Sequence, residues 1–434
     1  MLSRVERRHR GLDFWPVAAG NVGNLLEWYD FVLFAFLAPV IGARFFPSAD
    51  ALSGLINAFG VFAVGYLMRP IGGVLFGHLG DRLGRKRALQ LSMVVMAIPT
   101  ALMAALPTHA EAGVLAPLLL VALRLAQGLS VGGEYAGSMC YLVEAAPPGR
   151  RALFGSLSIL GIAGGLVLAA AIVTLTGSLL SAEEMYAWGW RLPFLGGLVI
   201  GGVGWWMRRG LAETPAFLKV VDAGRTARAP IVVVLREHWR RVAEVGGMVI
   251  LVAVGFYAIF AWMPTYLRQI VRPPVARAGL INMASIVVLI LAIPVSGWVA
   301  DRVGYRRVLL AANLAYAAAA VPLFHLIDSG GVVAVTAAVF GLAVIHAFSN
   351  GPIPAALTDL LPTELRYSGV ALGSNLSFAI FGGTAPLVAT WLIKVTGDLA
   401  APAWYLVVVA LVSACVTFVA TRTGRRPSRR DRTL

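Results

Sequence analysis

Two stretches decide the fold: Gly77-His78-Leu79-Gly80-Asp81-Arg82-Leu83-Gly84-Arg85-Lys86-Arg87 and Gly297-Trp298-Val299-Ala300-Asp301-Arg302-Val303-Gly304-Tyr305-Arg306-Arg307. Each joins one long apolar run to the next, and they keep the same pattern of glycines, Asp-Arg and a basic pair at an offset of 220 residues. A second pair repeats in the same way, Glu144-x-x-Pro147-x-x-x-Arg151 and Asp359-x-x-Pro362-x-x-x-Arg366, at an offset of 215. The members of each pair are six apolar runs apart. An even number of crossings preserves orientation, so the repeat relates two six-helix bundles about an axis along the membrane normal. Two such bundles can rock about a site between them, which is the physical basis of alternating access.

The composition agrees. Of 434 residues 59% are hydrophobic and 13% charged, with a mean hydropathy of +0.80. That is about half the charge a soluble surface of this size needs. Glycine enrichment without a three-residue period reads as close helix packing and excludes collagen. Cys140 and Cys415 lie in apolar runs and form neither a ligand cluster nor a disulfide framework. A net charge of +15 raises the question of nucleic acid, but the basic residues sit in short clusters between apolar runs, with no nucleic-acid-binding module. Arg4, Arg7, Arg8 and Arg10 precede a first run that carries Glu27 and Asp30 and has no small-residue cleavage site, so a retained helix is expected rather than a signal peptide.

The apolar runs fall at about 17–41, 52–76, 88–107, 113–143, 152–177, 190–209, 243–267, 277–299, 308–327, 332–358, 367–393 and 403–421. The expectation is an all-α integral membrane protein of 12 transmembrane helices, with one bundle at 15–209, a linker at 210–242 and a second bundle at 243–421. With both termini on one side, that side holds 28 of the 36 Lys and Arg residues. Six lie opposite (Arg44, Arg191, Arg268, Arg272, Arg277, Lys394) and two within spans (Arg69, Arg124). The positive-inside rule then places both termini in the cytoplasm, in a multi-pass protein of the cytoplasmic (inner) membrane. The linker reads as a tether or a regulatory surface. Its piece Ile231–Leu235, followed by Arg236-Glu237-His238-Trp239-Arg240-Arg241, suits a short interfacial helix.

Charges at membrane depth need a partner or a wet cavity, since each costs at least about 2.5–3.5 kcal/mol there. On the first span Asn21, Asn24, Glu27 and Asp30 recur every three residues and make a broad polar side. Glu27 or Asp30 can serve substrate or proton coupling, or pair with Arg69 or Arg124. On the fourth span Gln127 and Glu134 are about 10.5 Å apart along one face, with Arg124 nearby. Glu134 reads equally as a coupling carboxylate or as an ion-pair partner. The second half offers His325, His346, Asn282, Asn313, Asn350 and Asn375, so charge recognition is expected in the first bundle and neutral hydrogen bonding in the second. The pairs Gly128/Gly132, Gly133/Gly137, Gly161/Gly165 and Gly369/Gly373 allow close backbone approach, and Pro70, Pro264 and Pro294 suggest kinks. Phosphate loops and dinucleotide fingerprints are missing, and the linker is too short for an ATPase domain. The chain is therefore read as no enzyme, with no cofactor or metal beyond the proton gradient.

The doubled signature and twelve spans resemble the major facilitator superfamily. More narrowly, Gly23-Asn24-x-x-Glu27-Trp28-Tyr29-Asp30-Phe31, Arg69-Pro70-Ile71-Gly72-Gly73, Gln127–Tyr135, Trp188–Phe194, Glu213-Thr214-Pro215-Ala216-Phe217 and Arg366–Gly369 look like the metabolite:proton symporters, which include proline/betaine, 2-oxoglutarate, citrate and shikimate carriers. The resemblance covers essentially residues 15–421. Arg151–Ser156 with Gly161–Gly164 and Met263–Leu267 is most similar to the proline/betaine branch, while Ala379–Gly383 through Lys394–Asp398 is similar to organic-acid carriers. The short basic tail after Arg422, without heptads, departs from osmosensing carriers. The resemblance implies that Asp81, Arg82 and Arg85 act as gate elements, with Glu144 as partner and Asp301 and Arg302 as weaker counterparts, Tyr305 replacing an arginine. The reading is a secondary active transporter taking up a small carboxylate-bearing metabolite or zwitterionic osmolyte with protons, a facilitated uniporter or organic anion exchanger being the alternative and a non-transporting sensor or scaffold a distant one. The site candidates are Asn24, Glu27, Asp30, Arg69, Arg124, Gln127, Glu134 and Asn375. The expected partners are the solute, protons and the lipid bilayer, with no nucleic acid and no obligate protein.

Overall fold

Gly84 and Gly304, the glycines that close the repeated stretch, have φ of 104° and 93°. Side chains rarely adopt that conformation, and it lets one helix stop and the next start within a residue or two. Each is the N-terminal flank of a long helix, which is why the motif keeps a glycine at this point. The structure, a computed structural model, describes residues 14–47, 60–61, 64–271, 277–329 and 331–423. The basic cluster at Arg4–Arg10, most of the first half of the second span, Arg272 and the tail beyond Thr423 lie outside the described residues.

No strand occurs among the described residues. The helices used below are α1 (Phe14–Phe45), α2 (Arg69–Arg82), α3 (Arg85–Ala104), α4 (Leu115–Ala145), α5 (Arg151–Leu179) and α6 (Arg191–Arg209). Two short helices follow, α7 (Pro215–Asp222) and α8 (Pro230–Glu237). Then come α9 (Trp239–Arg268), α10 (Ala278–Val303), α11 (Tyr305–Asp328), α12 (Val332–Thr358), α13 (Thr363–Thr396) and α14 (Ala401–Thr423). Among the described residues ten helices are long and apolar enough to cross a membrane. The second and sixth expected spans appear as α2, whose upstream part is only partly described, and as the 19-residue α6, which begins and ends in arginine. Outward side chains such as Leu179 and Val333, 72% and 84% exposed, suit a lipid surround rather than water. Of the expected kinks, Pro294 lies within α10, Pro70 starts α2, and Pro264 separates two π-helical segments, Tyr257–Trp262 and Tyr266–Ile270.

The chain forms two compact units, Met1–Ala145 with Ser158–Ile231, and Ala146–Leu157 with Val232–Leu434. This differs from the boundaries read from hydropathy in two places. The first turns of α5 belong to the second unit because Asp301 accepts hydrogen bonds from the main-chain N–H groups of Ala152 (2.7 Å) and Leu153 (2.9 Å). Arg151 also pairs with Asp359 at 2.7 Å, and Ala152 packs with Ala300, Val308 and Ala355. Conversely, residues 210–231 are not a free tether. Leu211 is buried with Ala19, Leu89, Tyr141 and Leu142 of the first unit.

Small residues set the spacing inside the first unit. A Cβ on Gly132 of α4 would strike the α2 backbone at Gly72 and Gly73, and one on Gly165 of α5 would strike the α1 backbone at Leu25 and Tyr29. The core of this unit is aromatic: Trp190 stacks edge-on against Phe45 and Phe194, and the Tyr29 hydroxyl donates to the Pro193 carbonyl. In the second unit, a Cβ on Gly373 of α13 would reach the Val242 carbonyl of α9 at 2.7 Å.

Candidate functional site

The helix period brings one face of α4 against α1, and the two long polar side chains on that face meet Asp30. Arg124 donates to Asp30 Oδ2 at 2.7 Å and to Gln127 Oε1 at 3.0 Å. Gln127 donates to Asp30 Oδ1 at 2.9 Å and to the Thr100 hydroxyl at 2.8 Å. Asp30 is fully buried and Arg124 is 4% exposed, so this is an ion pair held in low dielectric by supporting hydrogen bonds. The Phe34 ring lies 3.7 Å from the Arg124 guanidinium carbon. The guanidinium is only half used: among the described residues its Nε and Nη2 have no hydrogen-bond partner.

The pair borders a narrow cleft lined among others by Asp30, Phe31, Tyr66, Arg69, Arg124 and Gln127. Arg69 sits over the Tyr66 ring at 5.4 Å, and Tyr66 meets Phe31 edge-on at 4.8 Å. The cleft thus offers two guanidinium groups, one carboxylate and two aromatic faces. Glu27, one turn before Asp30 and 4% exposed, has one carboxylate oxygen, Oε2, with no partner among the described residues. Arg69 is the principal positive charge acting on it.

The structure separates residues that the helical spacing had grouped. Glu134 does not join Gln127; it pairs with Arg208 through both carboxylate oxygens and accepts from the Ser92 hydroxyl. Arg208 also donates to the carbonyls of Ala19, Gly20 and Leu89 and is fully buried. Arg208, the penultimate residue of α6, folds back into the protein while Arg209 lies over the Trp205 ring. Asn24 pins three helices, donating to the Ser138 hydroxyl and the Ser158 carbonyl at 2.8 Å each. Asn375, in the second unit, donates to Ala371 of its own helix.

A second charged cluster sits at the junction of α2 and α3. Arg85 is fully buried and donates to Asp81 at 3.0 Å and to both oxygens of Glu144 at 3.2 Å. Glu144 also accepts from the Thr214 hydroxyl at 2.6 Å. Glu213 accepts from the main-chain N–H groups of Arg85 (3.1 Å) and Lys86 (3.2 Å), placing a carboxylate at the α3 N-terminus, where the helix dipole favours it. The Phe217 ring lies under Arg85 at 5.0 Å, and the Phe217 N–H donates to Thr214, the N-cap of α7. Sequence reasoning missed the structural part played by Glu213 and Thr214. The signal was present in Thr214-Pro215, an N-cap followed by proline at the first helical position.

The second copy of the signature behaves differently. Asp301 does not pair with a basic residue four positions on, where Tyr305 stands; it caps the start of α5 as described. Arg302 is exposed and lies over the Trp298 ring at 3.4 Å. Arg82 likewise takes no part in the Arg85 cluster and faces a separate cavity.

Comparison with known proteins adds the family. The Major Facilitator Superfamily model matches residues 21–374 and 247–433. The proline/betaine transporter of Salmonella typhimurium is 35% identical over 420 residues, covering 95% of this chain and 84% of that protein. The glycine betaine/proline/ectoine/pipecolic acid transporter OusA of Dickeya dadantii is 35% identical over the same coverage. Among solved structures, the proton:xylose symporter XylE bound to 6-bromo-6-deoxy-D-glucose superposes with a TM-score of 0.77 at 15% identity, covering 94% of this chain and 95% of that one. The Escherichia coli fucose:proton symporter FucP gives 0.67 at 17% identity, covering 95% and 99%. Repeat, helical architecture, family model and relatives agree: the chain belongs to the Major Facilitator Superfamily of multi-pass membrane transporters and is not an enzyme.

Proposed function

We propose that the chain carries a small zwitterion of the proline/betaine kind into the cell together with protons, across the cytoplasmic membrane, with both termini in the cytoplasm. One observation carries the substrate reading: Arg124 is buried at the cleft with Nε and Nη2 unpartnered among the described residues. An unused guanidinium edge is the natural partner of a carboxylate, which it can grip with two parallel hydrogen bonds. Asp30, Phe31 and Tyr66 line the same cleft, and the cationic end, which in a betaine has no N–H to donate, is recognised there through charge and cation–π contact. The names of the relatives support the same substrate class.

For the proton, Glu27 is favoured over the other candidate, Glu134. Glu134 is held by Arg208 and Ser92, so protonating it breaks a buried ion pair. Glu27 has an unengaged oxygen within electrostatic reach of Arg69, which lines the cleft, and a carboxyl so placed can take and release a proton as Arg69 responds to substrate. Arg85 with Asp81, Glu144 and Glu213 acts in conformational switching, outside the binding cleft.

The test compares proton-gradient-driven uptake with counterflow of radiolabelled proline and betaine in reconstituted vesicles, for E27Q, D30N and E134Q of verified folded yield. The expected result is that E27Q loses accumulation and keeps counterflow, while E134Q loses folded protein or both modes. Gradient-driven accumulation by E27Q at the wild-type level overturns the coupling assignment. Counterflow of 2-oxoglutarate or citrate in place of proline and betaine overturns the substrate class.

A further inference from the structure

Beside the Arg85 cluster, and distinct from the substrate cleft, a cavity of about 450 Å³ opens at the ends of α2 and α3 against α7. Arg82, Lys86 and Arg87 line it, with Glu213 the acidic residue among its walls. Glu213 is engaged by the main-chain N–H groups of Arg85, Lys86 and Thr214, so the α3 N-terminus already holds an anion and is closed to another. The Lys86 ammonium donates to the Arg209 carbonyl at 3.0 Å, while Arg82 and Arg87 are exposed and make no hydrogen bond or ion pair with the described residues. Three cations therefore face one carboxylate whose acceptor positions are already taken by main-chain donors. The same cavity is bordered by Leu83 and Val221, which are 45% and 46% exposed.

Cations and exposed aliphatic side chains around one cavity, at the ends of spanning helices, match a molecule with an anionic head and an apolar tail. Inorganic phosphate would use the cations but gain nothing from Leu83 and Val221. We infer that this cavity binds the phosphate of an anionic phospholipid, with Arg82 and Arg87 as principal ligands, Lys86 as the third cation, and acyl chain packed over Leu83 and Val221. The site shares Glu213 and Phe217 with the Arg85 cluster, so an occupant touches the same elements that hold Arg85. Nothing in it depends on which solute is carried.

The experiment uses the full chain, purified and stripped of lipid, then titrated with labelled phosphatidylglycerol, phosphatidylcholine or inorganic phosphate at constant ionic strength. R82Q/R87Q should weaken phosphatidylglycerol binding roughly tenfold or more. R82K/R87K should retain most of it, and R306Q/R307Q, which removes equal charge from the second unit, should leave it unchanged. In the unaltered protein, a photoactivatable phosphatidylglycerol should crosslink to peptides containing residues 82–90 and 213–221, an outcome that does not depend on any variant folding. Equal loss in R306Q/R307Q, crosslinks confined to other peptides, or displacement of the lipid by inorganic phosphate at equal concentration would each overturn the inference, the last by making it a simple anion site.

Discussion

Replacing Arg208 by methionine removes a cation that looks peripheral in the sequence, yet its surroundings predict a large loss of stability. Arg208 is fully buried and Glu134 is 2% exposed, so the pair lies outside the regime in which surface salt bridges contribute about 0–1 kcal/mol. R208M leaves an ionised carboxylate with only the Ser92 hydroxyl as side-chain donor, and strips a donor from the carbonyls of Ala19, Gly20 and Leu89. Breaking a buried pair in this way costs about 3–5 kcal/mol. E134Q alone should also destabilise, since the guanidinium then stays buried with its charge uncompensated. The double variant R208M/E134Q removes both charges and should recover part of the loss, giving a coupling free energy of about 2–3 kcal/mol. Unfolding in mixed micelles with added denaturing detergent, followed by tryptophan fluorescence for the four proteins of the cycle, measures it. A loss below about 1 kcal/mol in R208M, or a double variant whose loss equals the sum of the singles, would refute the buried-pair argument.

Other expectations follow from the same geometry. R124Q should raise the KM for the zwitterion about 10- to 150-fold, the worth of a charged hydrogen bond, with R124K intermediate because an ammonium cannot make the two-pronged contact; an unchanged KM removes Arg124 from the substrate site. D81N should slow turnover and leave most of the affinity, because Asp81 bonds Arg85 and lies away from the cleft; wild-type rates at equal expression count against a switching role. G84A and G304A should each destabilise by about 1–3 kcal/mol from backbone strain, and G84A by more, since its Cβ meets Glu213 and Phe217 whereas that of Gly304 meets open space; equal losses contradict this. Single cysteines at the exposed Ala110 and Ala223 should react with an impermeant reagent in intact cells only at Ala110, and labelling at Ala223 would reverse the proposed orientation.

Much of this protein is determined locally and is therefore legible along the chain. Span length and hydropathy are properties of about twenty consecutive residues, and the duplicated signature is a comparison of the chain with itself. Gly84 and Gly304 are constrained by their own φ angles, so the motif and its physical cause coincide at one residue. The intramembrane charges were legible too, because an ionisable residue in an apolar run is conspicuous whatever it touches. Their pairing was not. Helical period put Gln127 and Glu134 on one face of α4, but the face is long enough to meet different neighbours: Asp30 of α1 at one level, Arg208 of α6 at another. Hydropathy closes the sixth run at 209 and does not show where Arg208 turns, because a helix end is defined by its backbone, whereas a guanidinium reaches several ångströms from it and can return to the interior. Residues 210–217 read as a polar tether because composition registers the charge of Glu213 and not the two unpaired N–H groups at the start of α3 that the carboxylate satisfies. Likewise Asp301 and Asp81 share a motif but not a role: Asp301 meets the main chain of the remote Ala152 and Leu153, whereas Asp81 meets Arg85 four residues on, which the distant Glu144 also holds. Local physics fixed the helices and the places where charge must be compensated, and only the packing of distant segments decided which partner compensates it.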